Sequence, residues 1–229
     1  MSRIGSATLV KEGRRERFDR YFYGGCRRAA PRPGAPGERV LDLGCGQGEM
    51  ARFFRDLGFT VVGVDVAETN VARLRELGFE AHRADLNEPL LFPDAWADGV
   101  CLLDVIEHVV KAEHLVGECR RVLRPEGWLL LSTPNHAFYK RRLRALQGRA
   151  PDEEGYHFRF FIRRKLRALL EREGFRIERR CSIGYYPLMN RLLLRRLRGL
   201  QRLRVPVPAV LETLFAENFV WLLRKAPER

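Results

Sequence analysis

Nine consecutive residues, Val40-Leu41-Asp42-Leu43-Gly44-Cys45-Gly46-Gln47-Gly48, constrain this chain more than any other stretch. They read as a buried strand that runs into a glycine turn and then a helix. Glycine at every second position lets the backbone take positive φ, approach a ligand closely and aim amide N–H groups at it. Such a unit predicts a parallel α/β sheet with a nucleotide-like cofactor at its edge. The spacing narrows the cofactor. A dinucleotide turn needs Gly-x-Gly-x-x-Gly, but here the third glycine comes one residue early and Glu49 stands where it would fall. No Lys-Ser or Lys-Thr pair follows, which excludes a phosphate-cradling P-loop. Asp42, on the strand before the turn, would repel a pyrophosphate and suits a ligand that carries positive charge.

Strand and helix patterns alternate from residue 39 onward. Strands are predicted at Arg39 to Leu43, Thr60 to Asp65, Glu80 to Arg83, Gly99 to Leu103, Trp128 to Ser132, Phe175 to Ser182 and Asn218 to Arg224. Helices are predicted at Gln47 to Leu57, Thr69 to Leu77, Lys111 to Leu123 and Ile162 to Glu173. Arg124-Pro125-Glu126-Gly127 marks a turn, since neither proline nor glycine continues a helix. An N-terminal helix (Ala7 to Tyr23) is joined to the rest by a Pro/Gly-rich linker, Ala29 to Gly37. This divides the chain into an extension at residues 1–35 and a main domain at 36–229, with insertions near 136–160 and 184–213.

The glycine turn with its preceding acid resembles motif I of the class I S-adenosylmethionine-dependent methyltransferases, acid-x-Gly-x-Gly-x-Gly after the first strand. The resemblance covers residues 36–134 and extends more weakly to the last strand. It implies a doubly wound, Rossmann-like sheet of seven strands, mostly parallel with an antiparallel last strand. It also implies S-adenosylmethionine as cofactor, contacted by Gly44, Cys45, Gly46, Gly48, Asp65, Asp85, Leu86 and Leu103. Asp65 ends the second strand, where a carboxylate accepts from both ribose hydroxyls. Asp85 follows the third strand, where it accepts from the adenine amino group while the Leu86 amide serves the ring. The plainer alternatives are a helix N-cap for Asp65 and a turn with Asn87 for Asp85.

Methyl transfer from a sulfonium is an in-line displacement governed by contact and alignment, and a base is needed only where the acceptor must lose a proton. His108, in Asp104-Val105-Ile106-Glu107-His108, resembles the segment after the fourth strand of ubiquinone-type methyltransferases. His157, in Tyr156-His157-Phe158-Arg159-Phe160-Phe161, stands where the first insertion returns to the rim. These two are the candidate catalytic residues, with hydrogen bonding in the turn and anchoring of the lid as their alternatives. Asp104, Glu107 and His108 are suitable metal ligands. Nothing else in the sequence completes their shell, so no metal is expected.

Composition bears on partners. Five cysteines, an odd set without a Cys-x-x-Cys pair, argue against both a disulfide framework and a zinc site. No apolar run reaches the ~18 residues of a membrane span, and the charged N-terminus has no signal-like apolar core. A soluble, cytoplasmic protein, with peripheral membrane contact as an option, is expected. Residues 1–139 hold 19 Lys or Arg and 20 Asp or Glu, whereas residues 140–229 hold 23 and 9, so the whole excess of positive charge is C-terminal. Between Asn190 and Arg204 leucines and arginines segregate to opposite helical faces. That stripe either packs on the sheet or lies on an anionic membrane. The basic segments lack the interleaved aromatics of a nucleic-acid platform, which leaves a small or amphipathic acceptor. Ser132-Thr133-Pro134-Asn135 with Arg142-Leu143 and Gly148-Arg149-Ala150-Pro151 also resembles the methionine-biosynthesis W family, implying as the alternative a regulatory protein of the same fold.

Overall fold

The computed structural model describes residues 22–149, 157–184, 205–208 and 211–227. Five strands, β1 Arg39–Leu43, β2 Thr60–Asp65, β3 Glu80–Arg83, β4 Ala97–Leu103 and β5 Leu123–Pro134, run parallel in the order β3-β2-β1-β4-β5. Then come β6 Phe175–Arg180, the two-residue pieces β7 Ile183–Gly184 and β8 Val205–Pro206, and the long β9 Ala216–Lys225. Strand β9 lies antiparallel against β5, and β6 and β7 pair antiparallel with its other edge. The order reverses between β1 and β4, which opens a crevice at their carboxyl ends.

Two expectations need correction. Among the described residues the sheet has nine strands rather than seven: the strand expected from Phe175 to Ser182 breaks after Arg180 and resumes at Ile183, and the short β8, within the expected second insertion, pairs with β7. Cys181 carries the pairing across the break by donating to the Val220 carbonyl at 2.7 Å. The turn at Arg124 to Gly127 lies inside β5. Ala97 pairs with Leu123 and Gly99 with Trp128, so these four residues bulge out of the strand with Glu126 at φ 59°.

Both faces of the sheet are covered, as a parallel sheet requires. Successive strand residues enter opposite cores. Leu41, Leu43, Leu129, Leu131, Trp221 and Leu223 belong to one cluster, and Val40, Trp128, Leu130, Val220 and Leu222 to the other. The first cluster takes Leu115, Val116 and Cys119 from helix α4 (Ala112–Val122) and Leu166 and Leu170 from α6 (Arg163–Arg172). The second takes Phe54 from α2 (Glu49–Asp56) and Val71 and Leu74 from α3 (Glu68–Glu76). Phe22, Cys26 and Ala29 from helix α1, whose described part is 22–29, join it too.

The N-terminal helix therefore runs on past its expected end at Tyr23. Gly25 serves packing there: a Cβ on it would lie 2.1 Å from Ile183 Cδ1. Residues 7–21 of that expected helix lie outside the described residues, as does the basic stripe from Asn190 to Arg204. The first insertion holds helix α5 (Tyr139–Leu146), which buries none of its residues, and a short helix α7 (Glu212–Phe215) precedes β9.

Candidate active site

A cavity of about 140 Å³ opens over the glycine turn, lined by Phe22, Tyr23, Asp42, Gly44, Cys45, Met50, Leu103 and Asp104. The turn is wound tightly by its own amides. Gly44 and Cys45 both donate to the Val64 carbonyl at 2.7 and 3.1 Å, Gly48 donates to Cys45, and Gly46 donates to Asp65 Oδ2 at 3.0 Å. These amides are thus spent inside the turn and do not reach toward a ligand, contrary to the sequence-based expectation. What the turn offers is shape. Gly44 sits at φ 73° with a notional Cβ 2.3 Å from Val105 Cγ2, whereas a Cβ on Gly46, at φ 50°, would meet nothing within 4 Å. Only Gly46 faces open space where a ligand can lie.

Asp65 is 8% exposed. It accepts from Gly46 with Oδ2 and from the Ala67 amide with Oδ1 at 2.9 Å, which ties the turn to the start of α3. Each carboxylate oxygen has a second lone pair for a ribose hydroxyl. Ala67, not Asp65, is the N-cap of α3. Asp85 is exposed, and its Oδ1 accepts both the amide and the side chain of Asn87 at 2.9 Å, so the turn expected there does form. Those bonds, the backbone one first, hold its carboxyl below the usual range. Leu86 is buried in the first core cluster. Of the expected cofactor residues, Gly44, Cys45 and Leu103 line the cavity. Gly46 and Asp65 are hydrogen-bonded to each other, and like Gly48, Asp85 and Leu86 they are not among its lining residues.

Asp42 is 4% exposed, and its Oδ2 lacks a hydrogen-bond partner. Desolvation pushes its carboxyl up to about 7, partly offset by the Cys101 thiol. A buried, half-ionised acid at a cavity wall fits a cationic group, which is what a sulfonium or an amino-acid ammonium supplies. Burial also raises the neighbouring Cys45 thiol to about 12, which keeps it from acting as a nucleophile.

The other side of the cavity is built from distant pieces of chain. Asp104 holds φ 51°, fixed by the Ser132 hydroxyl, which donates to its Oδ1 at 2.8 Å, and by Asn218 at 3.2 Å. Burial raises its carboxyl to about 6. Glu107, 1% exposed, accepts from Thr133 Oγ1 at 2.9 Å through Oε2, while Oε1 has no partner. Desolvation, then the charge of Asp104, drives its carboxyl well up. The Glu107 carbonyl accepts from Phe158 and Arg159, and Arg159 also grips Glu113 and the Val110 carbonyl. These bonds dock the returning insertion onto the turn at Ile106–His108. His108 and His157, the two candidate catalytic residues, are thereby brought to 4.7 Å between ring centroids. His136, which no sequence motif marks, packs against His157 at 5.9 Å and Phe160 at 4.7 Å. Phe22, Tyr23 and Met50 were likewise not singled out, since nothing local marks residues on helices as cavity walls.

Against known proteins, the profile of the family described as "Methyltransferase domain" matches residues 14–179. The chain belongs to the S-adenosylmethionine-dependent methyltransferases. It is 38% identical over 144 residues to a probable S-adenosylmethionine-dependent methyltransferase of Mycolicibacterium smegmatis, a match covering 62% of this chain and 53% of that protein. It is 30% identical over 176 residues to a ubiquinone biosynthesis O-methyltransferase of Burkholderia pseudomallei, covering 69% of this chain and 73% of the relative. The chain spans about half the length of the first of these relatives. Among solved structures, an S-adenosylmethionine-dependent methyltransferase from Mesorhizobium loti superposes with a TM-score of 0.62 at 20% identity, covering 88% of this chain and 96% of that one. This last similarity establishes the fold. S-adenosylmethionine is the family's cofactor, and the cavity over the glycine turn has the buried carboxyl of Asp42 on its wall, which suits a cationic ligand.

Proposed function

We propose that this methyltransferase moves the sulfonium methyl group to a hydroxyl or acidic carbon of an amphipathic acceptor that it meets at an anionic lipid surface. The supporting observation is the surface beside His136 and His157. Leu143 and Leu146 of α5 are 52% and 84% exposed on a helix that also carries Lys140, Arg142 and Arg144, and Phe158 and Phe160 are exposed next to it. Apolar side chains framed by basic ones are what an interfacial helix presents to anionic lipid. The named activity of the Burkholderia relative, O-methylation in ubiquinone biosynthesis, supports an acceptor with an ionisable hydroxyl and an apolar tail.

S-adenosylmethionine held over the glycine turn would supply an electrophilic methyl group, and an acceptor hydroxyl that takes it would give up its proton to a base. In this reading, with no metal bound, the paired imidazoles of His108 and His157, 4.7 Å apart between ring centroids, take that proton. Glu107 and Asp104 are less available there, because Glu107 is buried and accepts from Thr133, and Asp104 accepts from Ser132 and Asn218.

The direct test supplies methyl-labelled S-adenosylmethionine with vesicles made from a bacterial lipid extract, with and without anionic lipid. The proposal predicts label in the organic phase and sedimentation of protein with the anionic vesicles only. Both should decline when Leu143, Leu146 and Arg142 are replaced by Gln. Label appearing only in water-soluble acceptors, with no vesicle binding at low salt, would refute it.

A further inference from the structure

We infer that Glu107, His108 and His157 form a binding site for a divalent transition-metal ion. One ligand atom from each lies within 4.8 Å of the others, and this is the group found among the described residues. The sequence separates the third member from the first two by about 50 residues, which is why no complete shell was visible there. One carboxylate and two imidazoles make a donor set used by zinc and by other first-row divalent ions. Ligands about 2 Å from a shared ion lie roughly 3 to 4 Å apart, so sub-ångström adjustments close the site.

A second observation points the same way. The Oε1 of Glu107 is buried and has no hydrogen-bond partner, while Oε2 is held by Thr133. An unpartnered carboxylate oxygen is costly unless a charge answers it. Thr133 is the kind of neighbour that fixes a ligand carboxylate, and His136 packs against the His157 ring. His108 is exposed, so the group is open to solvent on that side.

The inference rests on the proposed function only for what the ion does. An ion there would take the acceptor oxygen as a ligand, lower the pKa of its hydroxyl and release the proton to solvent while the methyl group transfers. The binding claim stands alone. If the protein binds metal but methylates no lipid, the acceptor proposal fails and the site survives. If it methylates lipid with no metal bound, the site fails and the acceptor proposal survives.

The experiment titrates chelator-treated full-length protein with cobalt(II), read by visible d–d absorption, and then displaces it with zinc(II). One equivalent should bind. His108→Ala and His157→Ala should each weaken binding by about 100-fold or more, while His114→Ala, an exposed histidine on α4, should leave it unchanged. His157 lies on a docked loop, so its variant keeps the test valid if Glu107→Ala fails to fold. Absence of cobalt absorption in the wild type, or binding in both histidine variants as tight as in the wild type, would overturn the inference.

Discussion

The two walls of the cavity are built by different means. Around the glycine turn, a single run from Arg39 to Asp65 supplies strand, turn, helix and a buried acid, and the hydrogen bond that closes it joins Gly46 to Asp65, 19 residues on. On the acceptor side, Asp104 is held by Ser132, 28 residues away, and by Asn218, 114 away. Glu107 meets Thr133, and His157 reaches His108 across an insertion. A local supersecondary unit conserves its geometry through backbone constraints. A wall assembled from separate elements can be altered piece by piece, which suits the side that must fit different acceptors.

If that contrast holds, the largest effect should come from the cofactor turn. Gly44→Ala places a Cβ at 2.3 Å from Val105 with φ at 73°, and should cost about 3 kcal/mol of stability from strain and overpacking together, read as a fall in Tm. Gly46→Ala meets no atom, so it should cost only about 1 kcal/mol of stability while reducing cofactor affinity. Equal losses in the two variants would break the distinction between a packed and a ligand-facing glycine.

The next effect concerns pH. The Asp42 carboxyl is raised to about 7 in the folded state against an ordinary value of 3.8. The native state therefore binds more protons between those values than the unfolded chain does, and the contribution of Asp42 to stability declines as pH rises from about 4 to about 7. A cationic cofactor favours the carboxylate, so binding should release a proton and weaken as pH falls from 8 to 6. Calorimetry in buffers of different ionisation enthalpy measures that proton. Asp42→Asn should abolish its release.

The smallest effect is expected on the acceptor side. Glu107→Gln retains the shape and an acceptor for the Thr133 hydroxyl and should change stability by less than about 1 kcal/mol, whereas Glu107→Ala leaves Thr133 unpaired and opens a cavity. Denaturant unfolding of the two variants decides this. A loss for Glu107→Gln as large as that for Glu107→Ala would mean that more than the bond to Thr133 depends on the carboxylate.

The same contrast explains what could be read from the sequence. The strand at Arg39–Leu43, its glycine turn, and Asp65 at the next strand end are encoded within some 26 residues, so spacing alone placed them. The parallel sheet and the antiparallel β9 followed from alternating patterns and the family resemblance. The break at Cys181 and the bulge at Arg124 to Gly127 did not, since both depend on pairing with strands far along the chain. The use of amides inside the turn was also hidden, because it needs the Val64 carbonyl of the adjacent strand. His108 and His157 could each be marked as chemically able. That they meet beside Glu107 required the contacts of the Glu107 carbonyl with Phe158 and Arg159.

The central claim is that the crevice above the glycine turn grips a nucleoside cofactor through Asp65. Titrating S-adenosylhomocysteine into the wild type and Asp65→Ala in a calorimeter tests it most directly. The account predicts one site per chain in the wild type and a loss of about 1 to 3 kcal/mol, roughly 10- to 100-fold in Kd, in the variant. Equal affinity in both proteins would contradict it.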